Sequence, residues 1–195
     1  MAAGRFVALE GPKGVGKTAL CAALAARLGP RQQAQVVITK EPTPGFNLQN
    51  EQNLRGVALA EAIAADRRTH VAEVVTPALV AGKLVVCDRY ILSSYVFHTA
   101  DSVPASVITE LNRSFPLPSL QLVLQASAQV IRGRLGQRGQ TTRLQSADSA
   151  HEFAQYIRYA TLMESQGIAY EVCDNANQEA RQAIVARLMA LLERG

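Results

Sequence analysis

Tryptophan is absent from this 195-residue chain, and only 5% of its residues are aromatic. Any core must then be filled by aliphatic side chains, which suits an α/β protein. The three cysteines, Cys21, Cys87 and Cys173, are odd in number, widely spaced and form no CxxC pair. That argues against a disulfide framework and a zinc site, and it leads us to expect a reducing compartment. Two of the three lie in apolar runs and are expected as core filler. The first apolar run is only a few residues long, so neither secretion nor a membrane span is expected, and the cytoplasm is. The net charge of +4 is modest, and the arginines cluster locally, so a site for anionic ligands is favoured over a nucleic-acid face. Repeats and linker-like stretches are missing too. A single domain, 1–195, is the expectation, large enough to bury its own core.

What stands out is the stretch from Arg5 to Leu20. Phe6 to Leu9 is a short apolar run without helical spacing, which reads as a buried parallel strand. It leads into Gly11-Pro12-Lys13-Gly14-Val15-Gly16-Lys17-Thr18, a full match to the phosphate-binding loop pattern. A helix is expected from Ala19 to Leu28. Glycines let backbone N–H groups turn inward on phosphates, and the following helix presents its positive end. In that arrangement Gly11, Gly14 and Gly16 shape the cradle, Lys17 reaches the outer phosphates of a nucleoside triphosphate, and the Thr18 hydroxyl ligates magnesium. A Gly-rich turn matching by chance would lack the strand before it and the helix after it.

Further β-branched or apolar runs at Val36–Thr39, Leu84–Cys87, Leu120–Leu124 and Ile168–Cys173 read as four more strands. Phe46 to Asn53 reads as a surface loop or a first helical turn. Helices are expected from Leu54 to about Arg68, with Leu54, Val57, Ala58, Ala62 and Ala65 inward, and from Thr69 to Ala81, where Pro77 would kink the run. The pattern also predicts helices over Ile91–Ala100, Pro104 to about Ser114, Ser127 (as N-cap) to Leu135, Asp148–Gln166 and Gln178–Glu193. Gly136 to Ala147 is polar and rich in Gly and Arg, and reads as a mobile loop. Strands alternating with helices imply an α/β fold, a five-stranded parallel sheet flanked by helices. Ligands of such sheets sit beyond the carboxyl ends of the strands. That rule gathers the loops after Leu9 and Thr39 and the triplet Asp88-Arg89-Tyr90 at one site.

The sequence holds no Asn-Lys-x-Asp guanine-reading motif, which weakens a GTPase reading. Motor ATPases end the third strand in an acidic pair, whereas here Asp88 is followed by Arg89, a cation suited to an anionic co-substrate. A kinase is the better reading. Arg132, Arg134, Arg138 and Arg143 gather in and just before the Gly136–Ala147 loop. Phosphoryl transfer needs positioning and cations around the moving group, and a closing loop of arginines supplies both.

The segments FVALEGPKGVGKT, TKEPTPG, ADRRTHVAEVVTPAL, VVCDRYILSS and RLGQRGQTTRLQ, in this order, resemble the thymidylate kinases, a family of P-loop nucleoside monophosphate kinases. The resemblance implies a three-layer P-loop kinase fold with an arginine-bearing lid at about 136–147. It also implies ATP and Mg²⁺ as cofactors, a nucleotide as substrate, and a homodimer packed through helices near the Asp-Arg-Tyr segment, where Val96, Phe97 and Val103 are expected to be exposed. Residue by residue, Lys17 and Thr18 hold ATP and magnesium, Asp88 helps position the metal, and Arg89 grips the acceptor phosphate. Arg67 contacts the acceptor nucleotide, Lys40 and Glu41 belong to its binding segment, and Ser93 or Ser94 lines its pocket. Arg134, Arg138 and Arg143 match lid arginines. A monophosphate acceptor is already anionic near neutral pH, its second pKa being about 6, so no strong general base is required.

Departures from the family pattern cluster at the acceptor pocket. Lys13 stands where the family has an acidic residue that touches the sugar, and Lys40 replaces an arginine. Ile63 stands where a phenylalanine stacks on thymine, and Val96-Phe97-His98 replaces Ala-Tyr-Gln. His98 reads either as a pocket group or as a surface residue. The acceptor therefore stays open between dTMP or a close pyrimidine deoxynucleotide and a different acceptor, a modified nucleotide or a phosphorylated metabolite of a specialised pathway. A catalytically inactive nucleotide-binding subunit and a nucleoside kinase using Asp88 or Glu10 as base are further readings.

Overall fold

A computed structural model describes residues 4–47, 49–136 and 148–193. Five strands, β1 (Arg5–Glu10), β2 (Val36–Lys40), β3 (Leu84–Asp88), β4 (Leu120–Gln125) and β5 (Ala169–Asp174), form one sheet in the order β2-β3-β1-β4-β5. Every pairing is parallel. Successive side chains along β1 point to opposite faces, as a pleated strand requires. Phe6 and Ala8 enter one apolar core with Val85, Cys87 and Val123, while Val7 and Leu9 enter a second with Leu84, Val86 and Leu122. The second core is closed by α1 (Lys17–Arg27) and the C-terminal helix Gln178–Glu193. The first is closed by a helical run from Gly56 to Val80 and by the helices Ile91–Ala100, Ala105–Asn112 and Ser149–Glu164. Helices thus cover both faces, which gives the three layers.

Register is what builds the site. Leu9 and Lys40 both pair with Asp88, and Glu10 pairs with Val123. The carboxyl ends of β1, β2 and β3 therefore lie in one row.

Two expectations for the run from Gly56 to Val80 are corrected. In α4 (Gly56–His70) the buried residues are Leu59, Ala60, Ala64, Arg67 and His70, whereas Val57 is 41% exposed. The alanine-rich segment offers little apolar contrast, and its inward face is set by two polar side chains that find partners in the core. The break expected between Arg68 and Thr69 is also absent. α4 passes through a wider π-type turn, Val71–Val75, into α5 (Thr76–Val80). The π turn comes just before Pro77, where a normal ladder would need an N–H that proline lacks. Two short helices precede α4: α2 (Pro30–Gln33), before β2, and α3 (Asn50–Asn53), in the stretch after Phe46.

The Ser127 hydroxyl accepts the Val130 N–H at the start of the helix Ala128–Gly136. Asp148 caps the helix Ser149–Glu164. The thiols of Cys21, Cys87 and Cys173 are free, Cys87 is buried, and the other two pack half-buried against the second core. Val96 and Val103, expected as exposed, are buried in the first core; their apolar surface is consumed within the chain. Among the described residues no helix is long and apolar enough to cross a membrane.

Candidate active site

The loop after β1 depends on glycine at two tight points. Gly11 has φ 126°, and a Cβ there would lie 2.5 Å from the Leu124 carbonyl oxygen of β4. Gly16 has φ 105°, and its Cβ would meet the Asn175 amide at 2.7 Å. α1 begins at Lys17 with no side-chain cap, so its first N–H groups and its positive end remain available to an anion. The Val15 carbonyl accepts from Arg134 Nη1 at 2.8 Å and from Asn175 Nδ2 at 2.9 Å. Because the peptide unit is planar and trans, pinning that carbonyl turns the Gly16 N–H to the opposite side. Arg134 Nη2 donates to the carbonyls of Asn175 and Ala176 at 2.9 and 2.8 Å. In this structure Arg134, expected at the nucleotide, is a clamp on the loop's backbone.

Lys17 is buried, and its Nζ donates to the carbonyls of Gly11 at 2.7 Å and Pro12 at 3.0 Å. Burial, and next the Arg89 charge, push its pKa down to about 7 against the pull of Asp88, Glu10 and Glu152. Thr18 Oγ1 donates to Asp88 Oδ2 at 2.9 Å. These two oxygen donors side by side suit Mg²⁺, a hard cation that takes few protein ligands and completes its shell with water and phosphate oxygens.

Arg89 sits at φ 73°, an uncommon backbone state for a residue with a side chain and one that is held only where surrounding structure enforces it. Its Nη1 donates to Ser93 Oγ at 3.1 Å and to the Tyr156 hydroxyl at 2.6 Å, and its guanidinium lies 4.8 Å from the Phe97 ring centroid. Ser93 in turn donates to Glu10 Oε2 at 2.5 Å, and the Tyr90 N–H donates to Glu10 Oε1 at 2.9 Å. Burial raises the pKa of Glu10, while the Ser93 hydrogen bond and the Arg89 and Lys17 charges draw it back.

Arg67 is almost wholly enclosed. Its Nε donates to Glu41 Oε2 at 2.7 Å, Nη2 to Ser94 Oγ at 3.0 Å, and Nη1 to Asn112 Oδ1, over the Tyr90 ring at 4.9 Å. The other Glu41 oxygen meets His70 Nδ1 at 2.8 Å, and His70 Nε2 meets Thr39 Oγ1 at 2.7 Å. Asp66 fastens the preceding loop to α4 through the Thr43 N–H and hydroxyl, at 2.9 and 2.6 Å.

A cavity of about 300 Å³ joins these groups. It is lined by Lys13, Gly14, Gly16, Lys17 and Thr18 at one end and by Lys40, Glu41, Arg67, Asp88 and Arg89 beyond them. Leu59, Ile63, Phe97 and His98, with Ser93 and Ser94, form the more apolar end. His98 is thus a buried cavity residue; burial first, and then Arg67, push its pKa down to about 4, so it is neutral at physiological pH. Arg138 and Arg143 lie outside the described residues.

Sequence reading did not single out Tyr156, Glu152, His70, Asn112 or Asn175. Glu152 is buried; burial raises its pKa, while Arg89, Lys17 and the backbone and charge of Lys13 lower it. A carboxylate therefore already faces Lys13, which answers the charge that Lys13 brings to the loop. The one available signal was spacing: Glu152 and Tyr156, at i and i+4, share a face of an amphipathic helix.

A single cavity with a phosphate-binding loop at one end and Arg67 and Arg89 beyond it suits transfer between two phosphorylated ligands. With the sheet order, it defines a P-loop kinase of the nucleoside monophosphate type. The family model "Thymidylate kinase" matches residues 9–184. A thymidylate kinase of Pseudomonas entomophila is 35% identical over 98% of this chain and 98% of its own length. One from Limosilactobacillus fermentum is 34% identical over 93% and 91%. The crystal structure of thymidylate kinase from Ehrlichia chaffeensis superposes with a TM-score of 0.69 over 98% of this chain and 100% of that one, at 21% identity, a likeness of fold. The chain belongs to the thymidylate kinase family.

Proposed function

We propose that the protein phosphorylates dTMP to dTDP with ATP. The observation that carries this is the continuous cavity from Lys17 and Thr18 to Arg89, Arg67 and the slot of Leu59, Ile63, Phe97 and His98, in a chain matched by the family model over residues 9–184. The loop N–H groups and Lys17 hold the donor's phosphates. Arg89 holds the acceptor's phosphate, and the apolar end takes the base. A phosphate oxygen of dTMP bonds to the γ-phosphorus as the bond from that phosphorus to the β–γ bridging oxygen breaks, and ADP leaves. The acceptor oxygen is already ionised, so no residue has to remove a proton. Thr18 and Asp88 are the side chains that would hold Mg²⁺, which when bound neutralises charge on the donor's phosphates. Operation in the cytoplasm as a homodimer belongs to the same proposal, and sedimentation at micromolar concentration checks the second part.

A coupled ADP-release assay over a panel of nucleoside monophosphates tests the reading. We expect dTMP to give the highest kcat/KM, in the ordinary enzyme range of about 10⁴ M⁻¹s⁻¹ or more. No turnover of dTMP, or a clear preference for another acceptor, would overturn it.

A further inference from the structure

We propose that Tyr156 is a positioning residue for Arg89, holding its guanidinium for the acceptor phosphate through a hydrogen-bond chain that ends at Glu10. This rests on the reading that Arg89 grips that phosphate. A guanidinium only donates, so the Tyr156 oxygen accepts from Arg89 Nη1 at 2.6 Å, and the phenolic hydrogen is left for Ser93 Oγ at 3.0 Å. Ser93 also accepts from Arg89 at 3.1 Å and gives its own hydrogen to Glu10 Oε2 at 2.5 Å. The second Glu10 oxygen takes the N–H of Tyr90, the residue after Arg89. Every link then has one permitted direction, from cation to carboxylate, and the links polarise one another. Phe97 closes another side, 4.8 Å from the Arg89 guanidinium and edge-on to the Tyr156 ring at 6.4 Å.

Packing alone does not account for the hydroxyl. Tyr156 is fully buried, and a phenylalanine would fill the same space without a polar atom to satisfy. Burial raises the phenol's pKa, so it stays protonated and keeps its hydrogen for Ser93. Both bonds from Arg89 use Nη1, which leaves the rest of the five-donor fork to bind an anion from the cavity. Tyr156 stands 67 residues from Arg89, so the helix Ser149–Glu164 acquires a hand in acceptor binding that no loop motif announces.

The test is Tyr156→Phe, assayed for turnover and for dTMP binding by calorimetry. We expect KM and Kd for dTMP to rise about 10- to 100-fold, the loss expected when a charged group loses a hydrogen bond, with the KM for ATP unchanged. In an Arg89→Lys background the same substitution should add little, because both act through one contact. An unchanged dTMP Kd, equal losses for ATP and dTMP, or full additivity with Arg89→Lys would overturn the inference. A wild-type chain that binds dTMP without phosphorylating it overturns the functional reading instead, and the binding cycle still decides Tyr156. If it binds no dTMP, the Arg89 side-chain ¹⁵N signal, assigned by its loss in Arg89→Lys, decides. Broadening in Tyr156→Phe supports the inference, and an unchanged signal overturns it.

Discussion

In the proposed reading Lys17 carries two opposed demands: it must be enclosed to meet phosphates without competing water, and enclosure disfavours its charge. With its pKa near 7 in the ligand-free chain, phosphates arriving beside it must draw that value back up. ATP binding at pH 8 should then take up close to one proton, and calorimetry in two buffers of different ionisation enthalpy reads it. No uptake contradicts the shift. For stability the sign runs the other way. Below about pH 7 Lys17 is charged in both folded and unfolded chains and its burial cost is borne in full. Above that the unfolded chain binds more protons, so this group's contribution rises with pH up to its ordinary 10.5. Lys17→Ala should lower kcat by about 100-fold or more, the scale for losing a preorganised transition-state donor; near-normal turnover would remove Lys17 from the mechanism. Lys13 carries a second prediction. Lys13→Glu would set a new carboxylate beside Glu152, whose pKa burial already raises, so kcat/KM for dTMP should fall about 10-fold and the thermal midpoint should drop with it. A gain in dTMP turnover would show that the loop's charge, rather than its pairing with Glu152, governs the pocket.

Elements were legible wherever local chemistry decided them. The run Leu84–Cys87 followed by Asp88-Arg89 could be read as a buried strand delivering polar groups, and β3 does that. The helices Ile91–Ala100 and Gln178–Glu193 fall where the pattern placed them. α4 lies close to its expected span, but its inward face was not legible, because the partners of Arg67 and His70 are Glu41 and Asn112, from distant segments that no periodicity links. The same holds for Arg134 and Asn175, which reach the Val15 carbonyl from 119 and 160 residues away. They make the loop a braced element rather than a glycine spring. Asn175→Ala removes one of the two donors that orient the Val15–Gly16 peptide and should raise the KM for ATP roughly 10-fold while leaving dTMP binding alone. Equal changes for both substrates would mean that Asn175 supports the whole cavity instead.

At the scale of the whole molecule, the strand register places one cavity beyond the carboxyl ends of β1, β2 and β3, and different elements build its two ends. In the proposed reading the donor end is β1, its loop and α1, and the acceptor end is β3, the helix after it and α4, with Tyr156 standing behind Arg89. Each ligand that binds only the folded chain stabilises it by about 2.7 kcal/mol at a hundred times its Kd. For a chain of this length, at about 2–4 °C per kcal/mol, that is a rise in thermal midpoint of roughly 5–10 °C for each ligand. A non-hydrolysable ATP analogue and dTMP should each raise the midpoint alone and raise it further together. Arg89→Ala should abolish most of the dTMP shift and keep the analogue's shift, because the arginine belongs to the acceptor end. If both shifts vanish together, Arg89 is holding the two ends of the cavity to each other, and the division of labour between β1 and β3 is wrong.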